Sequence, residues 1–208
     1  MDFVPHDQIL SYEEMLRLVA LSVKAGIRKV RLTGGEPLVR KGFIPFLEKL
    51  SAIEDLREIS LTTNGVLLKE FAEDIRRCGI CRVNVSLDSL DPEKFARITG
   101  RDYLHRVLEG IGEAQRLGFN PIKINVVAMR GINDDEILDF GRLTLTKPYH
   151  IRFIEFMPVG DLQFWNRENI VSSSETRNII GKKYRLIEGK RVRGSGPAKY
   201  YKLEGNNC

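Results

Sequence analysis

Lys29-Val30-Arg31-Leu32-Thr33-Gly34-Gly35-Glu36-Pro37 reads as a strand that runs into a glycine pair, a carboxylate and a proline. Val30 and Leu32 share one face of that strand, and Lys29, Arg31 and Thr33 share the other. The two glycines carry no Cβ, so backbone groups at the strand's carboxyl end can approach a ligand closely. Glu36 adds a fixed anion, and Pro37 stiffens the exit from the turn. Such a turn suits a ligand that presents an ammonium group and takes a few backbone hydrogen bonds. A bare glycine pair would be read as an ordinary strand-to-helix turn; the glutamate and proline point to a ligand.

Outward from this turn, helical and strand patterns alternate with little loop between them. Ser11 to Glu14 has the spacing of a capping box, and Gly26 stops the helix that follows it. Strands are expected at 29–33, 58–63, 82–87, 122–127 and 150–156. Helices lie between them, with caps at Asp91-Pro92 and at Asn133, three residues before Glu136. Strands that alternate with helices imply a parallel sheet with helices outside it. Five strands are too few for a closed eight-unit barrel, which takes roughly 250 residues, so the fold is an incomplete TIM-like βα barrel or an open sheet. The rhythm stops after Pro158. Residues 1–158 are therefore read as the barrel portion, and 159–208 as a fragment of a further region. That fragment holds one helix near Ser172 to Ile180, a Gly/Arg-rich loop from Gly189 to Pro197 and a pair of short strands.

Parity gives the strands two unlike faces. Ile59 and Leu61 oppose Ser60 and Thr62, and Val83, Val85 and Leu87 oppose Asn84, Ser86 and Asp88. Ile122, Ile124 and Val126 oppose Lys123 and Asn125, and Arg152 opposes Ile151 and Phe153. Parallel sheets buried on both sides read as continuous apolar runs. Here one face is polar strand after strand, as a lumen that takes a ligand would be. Arg31, Lys123 and Arg152 put cations on it, which suits a phosphate-bearing ligand.

Bulk properties agree without deciding the matter. The chain has 208 residues, 42% hydrophobic and 29% charged, with a net charge of +5 that leans weakly to an anionic partner. No stretch reads as a membrane span or signal peptide. Three cysteines do not make a disulfide framework, and a reducing cytoplasm is the default. Cys78-Gly79-Ile80-Cys81 has redox spacing, but Cys78 ends a helix where a reactive thiolate would start one. His6, His105 and His150 form no ligand spacing.

Arg31-Leu32-Thr33-Gly34-Gly35-Glu36-Pro37-Leu38, Thr62-Thr63-Asn64-Gly65, Val85-Ser86-Leu87-Asp88-Ser89, Lys123-Ile124-Asn125-Val126-Val127 and Arg152-Phe153-Ile154-Glu155-Phe156-Met157-Pro158 occur in that order. Together they resemble the radical S-adenosylmethionine (SAM) superfamily, and within it the GTP 3',8-cyclase family of molybdenum cofactor biosynthesis. The resemblance implies a lyase of the partial-barrel type that converts GTP to 3',8-cyclo-7,8-dihydroguanosine 5'-triphosphate. It implies SAM contacts at Gly34, Gly35, Glu36, Pro37, Ser86 and Met157, and GTP contacts at Arg31, Thr62, Lys123 and Arg152. It further implies 4Fe–4S clusters, an electron donor for them, and compatibility with a homodimer, with no nucleic acid or membrane partner.

The Cys-x3-Cys-x2-Cys motif that holds the cluster in that superfamily does not occur in these 208 residues. The resemblance covers about residues 3–203 and implies truncation at both ends, so the segment alone is expected to be inactive. Two rival readings stay open: another radical SAM enzyme, such as a peptide-modifying maturase, and a non-catalytic nucleotide-binding fragment.

Overall fold

The computed structural model describes residues 9–158, 166–189 and 198–204. Helix and strand alternate as the rhythm predicts: α1 (Tyr12–Lys24), β1 (Lys29–Leu32), α2 (Phe43–Ser51), β2 (Glu58–Thr63), α3 (Leu68–Arg77), β3 (Val83–Ser86), α4 (Pro92–Thr99) and α5 (Leu104–Arg116) come first. They are followed by β4 (Ile122–Ala128), α6 (Ile137–Thr146), β5 (Tyr149–Glu155), α7 (Ser173–Gly181), β6 (Leu186–Glu188) and β7 (Tyr201–Leu203). Five strands form one sheet in chain order, β1-β2-β3-β4-β5, while β6 and β7 form a separate ribbon. The fold is α/β, as expected.

Two of the expected helix starts are built as read. The Ser11 hydroxyl accepts from Glu14 N at 3.1 Å while the Glu14 carboxylate accepts from Ser11 N at 2.7 Å. Asp91 accepts from Lys94 N at 2.9 Å, with Pro92 in the first helical position. The third differs. Asn133 makes no capping bond, and α6 begins only after a 3-10 turn at Asp134–Glu136. Its amide is taken by tertiary partners instead, as described below.

The chain forms two compact units, one of residues 1–86 and 103–123, the other of 87–102 and 124–208. In the first, β1–β2 and β2–β3 are parallel, with Arg31 opposite Ser60 and Thr62 opposite Asn84. Partners in register share a face, so these four side chains lie on one side of the sheet. Leu61, Val83 and Val85 of the opposite parity are buried, as are Phe46, Leu47 and Leu50 of α2, Leu68, Ala72 and Ile75 of α3, and Val107 and Ile111 of α5. Each large side chain so buried stabilises the unit by roughly 1.5–3 kcal/mol relative to exposure. The Tyr12 ring stacks on Phe46 at 4.4 Å and ties α1 to α2.

In the second unit, β4 shows the expected alternation, with Ile124, Val126 and Ala128 buried and Asn125 and Val127 only partly so. A core cluster joins Ala128 and Ile137 to Val171, Ile180 and Leu203, and Phe153 packs against it. The chain after Pro158 is too short for a core of its own and finds one on β4 and α6. Polar contacts reinforce this packing: Arg130 grips Glu175 through two bonds of 2.7 Å, and Met129 bridges to Ile170. β6 and β7 are antiparallel, with Leu186 opposite Leu203. Most of the Gly/Arg-rich loop, together with His6 and Cys208, lies outside the described residues.

Candidate functional site

In the first unit, β1 ends at the turn the sequence singled out. Gly34 has φ of 155°, in a region L-residues avoid, and a Cβ added at Gly34 or Gly35 would meet nothing within 4 Å. The turn therefore faces open space, as a turn that admits a ligand must. Pro37 opens a single 3-10 turn, Pro37–Val39. Glu36 closes the arrangement by bonding sideways: its carboxylate accepts from Leu38 N (3.1 Å), the Thr63 hydroxyl (2.7 Å) and Asn64 N (2.6 Å). The Gly-Gly-Glu-Pro turn is thus tied to the end of β2.

Arg31 and Thr62 lie on the polar face of this unit, and Asn84 Nδ2 donates to Leu61 O at 3.1 Å and to Thr62 Oγ1 at 3.4 Å. Ser86 ends β3 exposed, and Lys123 sits half-buried near the start of β4. Lys29 shares Arg31's parity but is paired with Glu58 at 2.8 Å, and Arg82 joins the same carboxylate at 2.7 Å. Among the described residues, Arg31 enters no ion pair.

The second unit holds a cavity of about 370 Å³ lined by Ile98, Val127, Met129, Ile132, Ile154, Phe156 and Met157, with Asp88, Arg97 and Glu155 as its polar members. An apolar hollow with a few convergent polar groups is the usual form of a small-molecule site. Two buried side chains hold its walls. Asn133 Nδ2 donates to Asp88 O at 2.6 Å and Val127 O at 2.9 Å, and its Oδ1 accepts from Met129 N at 2.7 Å. Glu136 accepts from the Ser89 hydroxyl at 2.7 Å and from Leu90 N and Asp91 N at 2.8 and 3.1 Å. Sequence reasoning missed this clamp, because an Asn and a Glu three residues apart carry the same signature as a helix cap. Met157, expected at a ligand, lines the cavity and is 58% exposed. Arg152 is half-buried on β5 and enters no ion pair among the described residues. Asn125 Oδ1 is buried without a hydrogen-bond partner among the described residues, an acceptor that a ligand's donor would satisfy.

Asp88 accepts from Val127 N at 2.7 Å, yet burial raises its pKa above the ordinary 3.8 against that bond. Glu155 goes the other way, held below the usual range by the Ser173 N–H it accepts from. The sign for Asp88 is definite: the folded state holds its proton more tightly than the unfolded chain, so this group's contribution to stability declines as pH rises from about 4 through the raised value. Asp88→Asn should remove that decline. The melting temperature of the variant relative to the native chain should therefore climb as pH rises from about 4 toward 7. Calorimetric scans across that range check it, and a constant difference would refute the assignment.

Cys78 and Cys81 are half-buried, burial pushes the Cys78 thiol up, and Cys81 Sγ accepts from Arg76 at 3.3 Å. The described residues gather no group of three or more His, Cys, Asp or Glu side chains that could hold a metal ion. No described helix is long and apolar enough to cross a membrane.

Comparison with known proteins meets this geometry. Residues 2–144 match the radical SAM superfamily model, and residues 149–208 match Molybdenum Cofactor Synthesis C. The chain belongs to the radical SAM superfamily. Its curated relatives narrow the likeness: it is 50% identical over 204 residues to the GTP 3',8-cyclase of Thermodesulfovibrio yellowstonii, and 48% identical over 204 residues to that of Syntrophomonas wolfei. In both cases 98% of this chain aligns and spans 63% of the relative's length. Among solved structures, a radical SAM methyltransferase from Sphaerobacter thermophilus superimposes with a TM-score of 0.64 at 16% identity, covering 83% of this chain and 55% of that one. TYW1 with a lysine–pyruvate adduct bound gives 0.60 at 18%, covering 85% and 64%. At such identities these two speak for the fold alone.

Proposed function

We propose that this chain belongs to a GTP 3',8-cyclase, an enzyme of molybdenum cofactor biosynthesis that uses SAM and GTP and takes electrons from a donor. The observation that carries this reading is the 50% identity over 204 residues to a GTP 3',8-cyclase. The division at Pro158 between a barrel portion and a C-terminal region belongs to the same reading.

Within it, each residue has a task its chemistry suits. The Gly34–Pro37 turn offers backbone groups to the SAM amino group, Ser86 offers a hydroxyl, and Met157 offers an apolar contact. A bound 4Fe–4S cluster, on which the superfamily relies, would supply the electron that activates SAM. Arg31, Lys123 and Arg152 supply charge-assisted bonds to the GTP triphosphate, and Thr62 a neutral one. The protein's contribution is to hold two ligands in fixed orientation and keep water from the reacting atoms.

The test is anaerobic incubation of the gene product that carries these residues, with its cluster reconstituted, in the presence of GTP, SAM and dithionite. Chromatography should show GTP converted to its 3',8-cyclised isomer only when SAM and reductant are both present. Consumption of SAM without any change in GTP would favour a different radical SAM enzyme, such as one acting on a peptide.

A further inference from the structure

We infer that Glu36 is a positioning residue: its carboxylate locks the Gly34-Gly35 turn to the end of β2, and so sets the turn in the conformation that receives the SAM amino group. This rests on the reading that the turn binds SAM.

The bonding pattern leaves little freedom. Gly65 N–H can only donate, and it donates to Thr63 Oγ1 at 3.0 Å. The Thr63 hydroxyl, 2% exposed, must then give its own proton to the Glu36 carboxylate, 2.7 Å away. The same carboxylate accepts from Asn64 N at 2.6 Å and from Leu38 N at 3.1 Å, one donor on β2's side and one on the turn's own side. Both oxygens are engaged with donors 2 to 28 residues away in sequence. A carboxylate used in this way acts through the backbone it holds. Thr63 adjoins Thr62, so the strand end assigned to GTP and the turn assigned to SAM share one fixed link.

Glutamine cannot replace it. An amide keeps one acceptor and turns an NH2 group toward either Asn64 N–H or the Leu38 and Thr63 donors, setting donor against donor. Thr63→Val breaks the same chain from the other end. Effects that run through one link are not additive.

The test uses the cluster-loaded gene product and two probes: SAM, and 5'-methylthioadenosine, which lacks the whole amino-acid portion of SAM, amino group included. Calorimetry should show Glu36→Gln and Thr63→Val each weakening SAM about tenfold, the loss of a charge-assisted bond. The double variant should stand within about twofold of the weaker single one. Affinity for 5'-methylthioadenosine should hold throughout, and the Leu38 and Asn64 amides should exchange about tenfold faster in Glu36→Gln, since opening the link exposes them. Four results would overturn the inference. Thr63→Val binding SAM normally would mean that Glu36 meets the ligand itself. Equal loss of both probes would mean a general structural role. Unchanged amide exchange would mean no lock. A native protein that binds neither probe would remove the SAM reading, and the positioning role with it.

Discussion

Lys123→Ala and Arg152→Ala should each weaken GTP binding by roughly ten- to hundredfold while SAM affinity stays nearly constant. A hydrogen bond between a cation and a phosphate is worth on the order of 1.5–3 kcal/mol, more than a neutral one, and alanine removes it whole. Arg152 enters no ion pair among the described residues, so its loss strands no carboxylate among them. Gly35→Val supplies the opposite case. Nothing lies within 4 Å of a Cβ added there, and the φ of Gly35 is not in the left-handed region, so the fold should accept valine with little change in melting temperature. The new methyls would stand in the space the turn leaves open, and SAM affinity should fall while GTP affinity holds. Titration of both ligands against all three variants separates the cases. If Lys123→Ala and Arg152→Ala leave GTP affinity unchanged, these cations do not meet the triphosphate, and a radical SAM enzyme with another substrate becomes the better reading.

The parts of this arrangement that were legible in the sequence share a property: their signal is local. Alternation over six residues gave Glu58–Thr63 with the bounds observed for β2. Ser11 and Asp91 could be read as caps because each bonds a partner three residues on. Parity put Arg31, Thr62 and Asn84 on one face, and parallel register then set Thr62 beside Asn84. What escaped was fixed across the chain. Asn133 and Glu136 look like a cap and its partner, yet Glu136 bonds Ser89–Asp91 and Asn133 reaches Asp88, about 45 residues back. A carboxylate or amide satisfied over that distance leaves no periodic trace. Asp88 was legible by parity as polar-facing, but its cavity was not, since Arg97 and Ile132 reach it from a helix end and a loop. Glu36 divides the same way: the turn around it can be read, the three donors that hold it cannot.

Gly65 shows how a residue in a ligand-associated run can be set by packing, and it carries the largest stability effect expected here. Gly65→Ala should cost roughly 2–5 kcal/mol. One part is conformational: φ is +83°, where an L-residue with a Cβ loses about 1–2 kcal/mol. The other is steric. The added Cβ would stand 2.8 Å from Val85 Cγ1 and 2.9 Å from Val107 Cγ1, and both valines are fully buried with no space to retreat into. Overpacking of that kind adds about 1–3 kcal/mol. The contact is reciprocal, because a Cβ on Gly110 of α5 would come within 2.8 Å of Gly65 O, so two glycines let α5 settle on the β2–α3 turn. Gly118→Ala is the control: φ is +75°, but nothing lies within 4 Å, so only the conformational part should appear. In thermal scans Gly65→Ala should lower the melting temperature by about 5–15 °C, and Gly118→Ala by about half of that or less. Equal shifts for the two would mean that the valines yield and that the turn's glycine answers to backbone geometry alone.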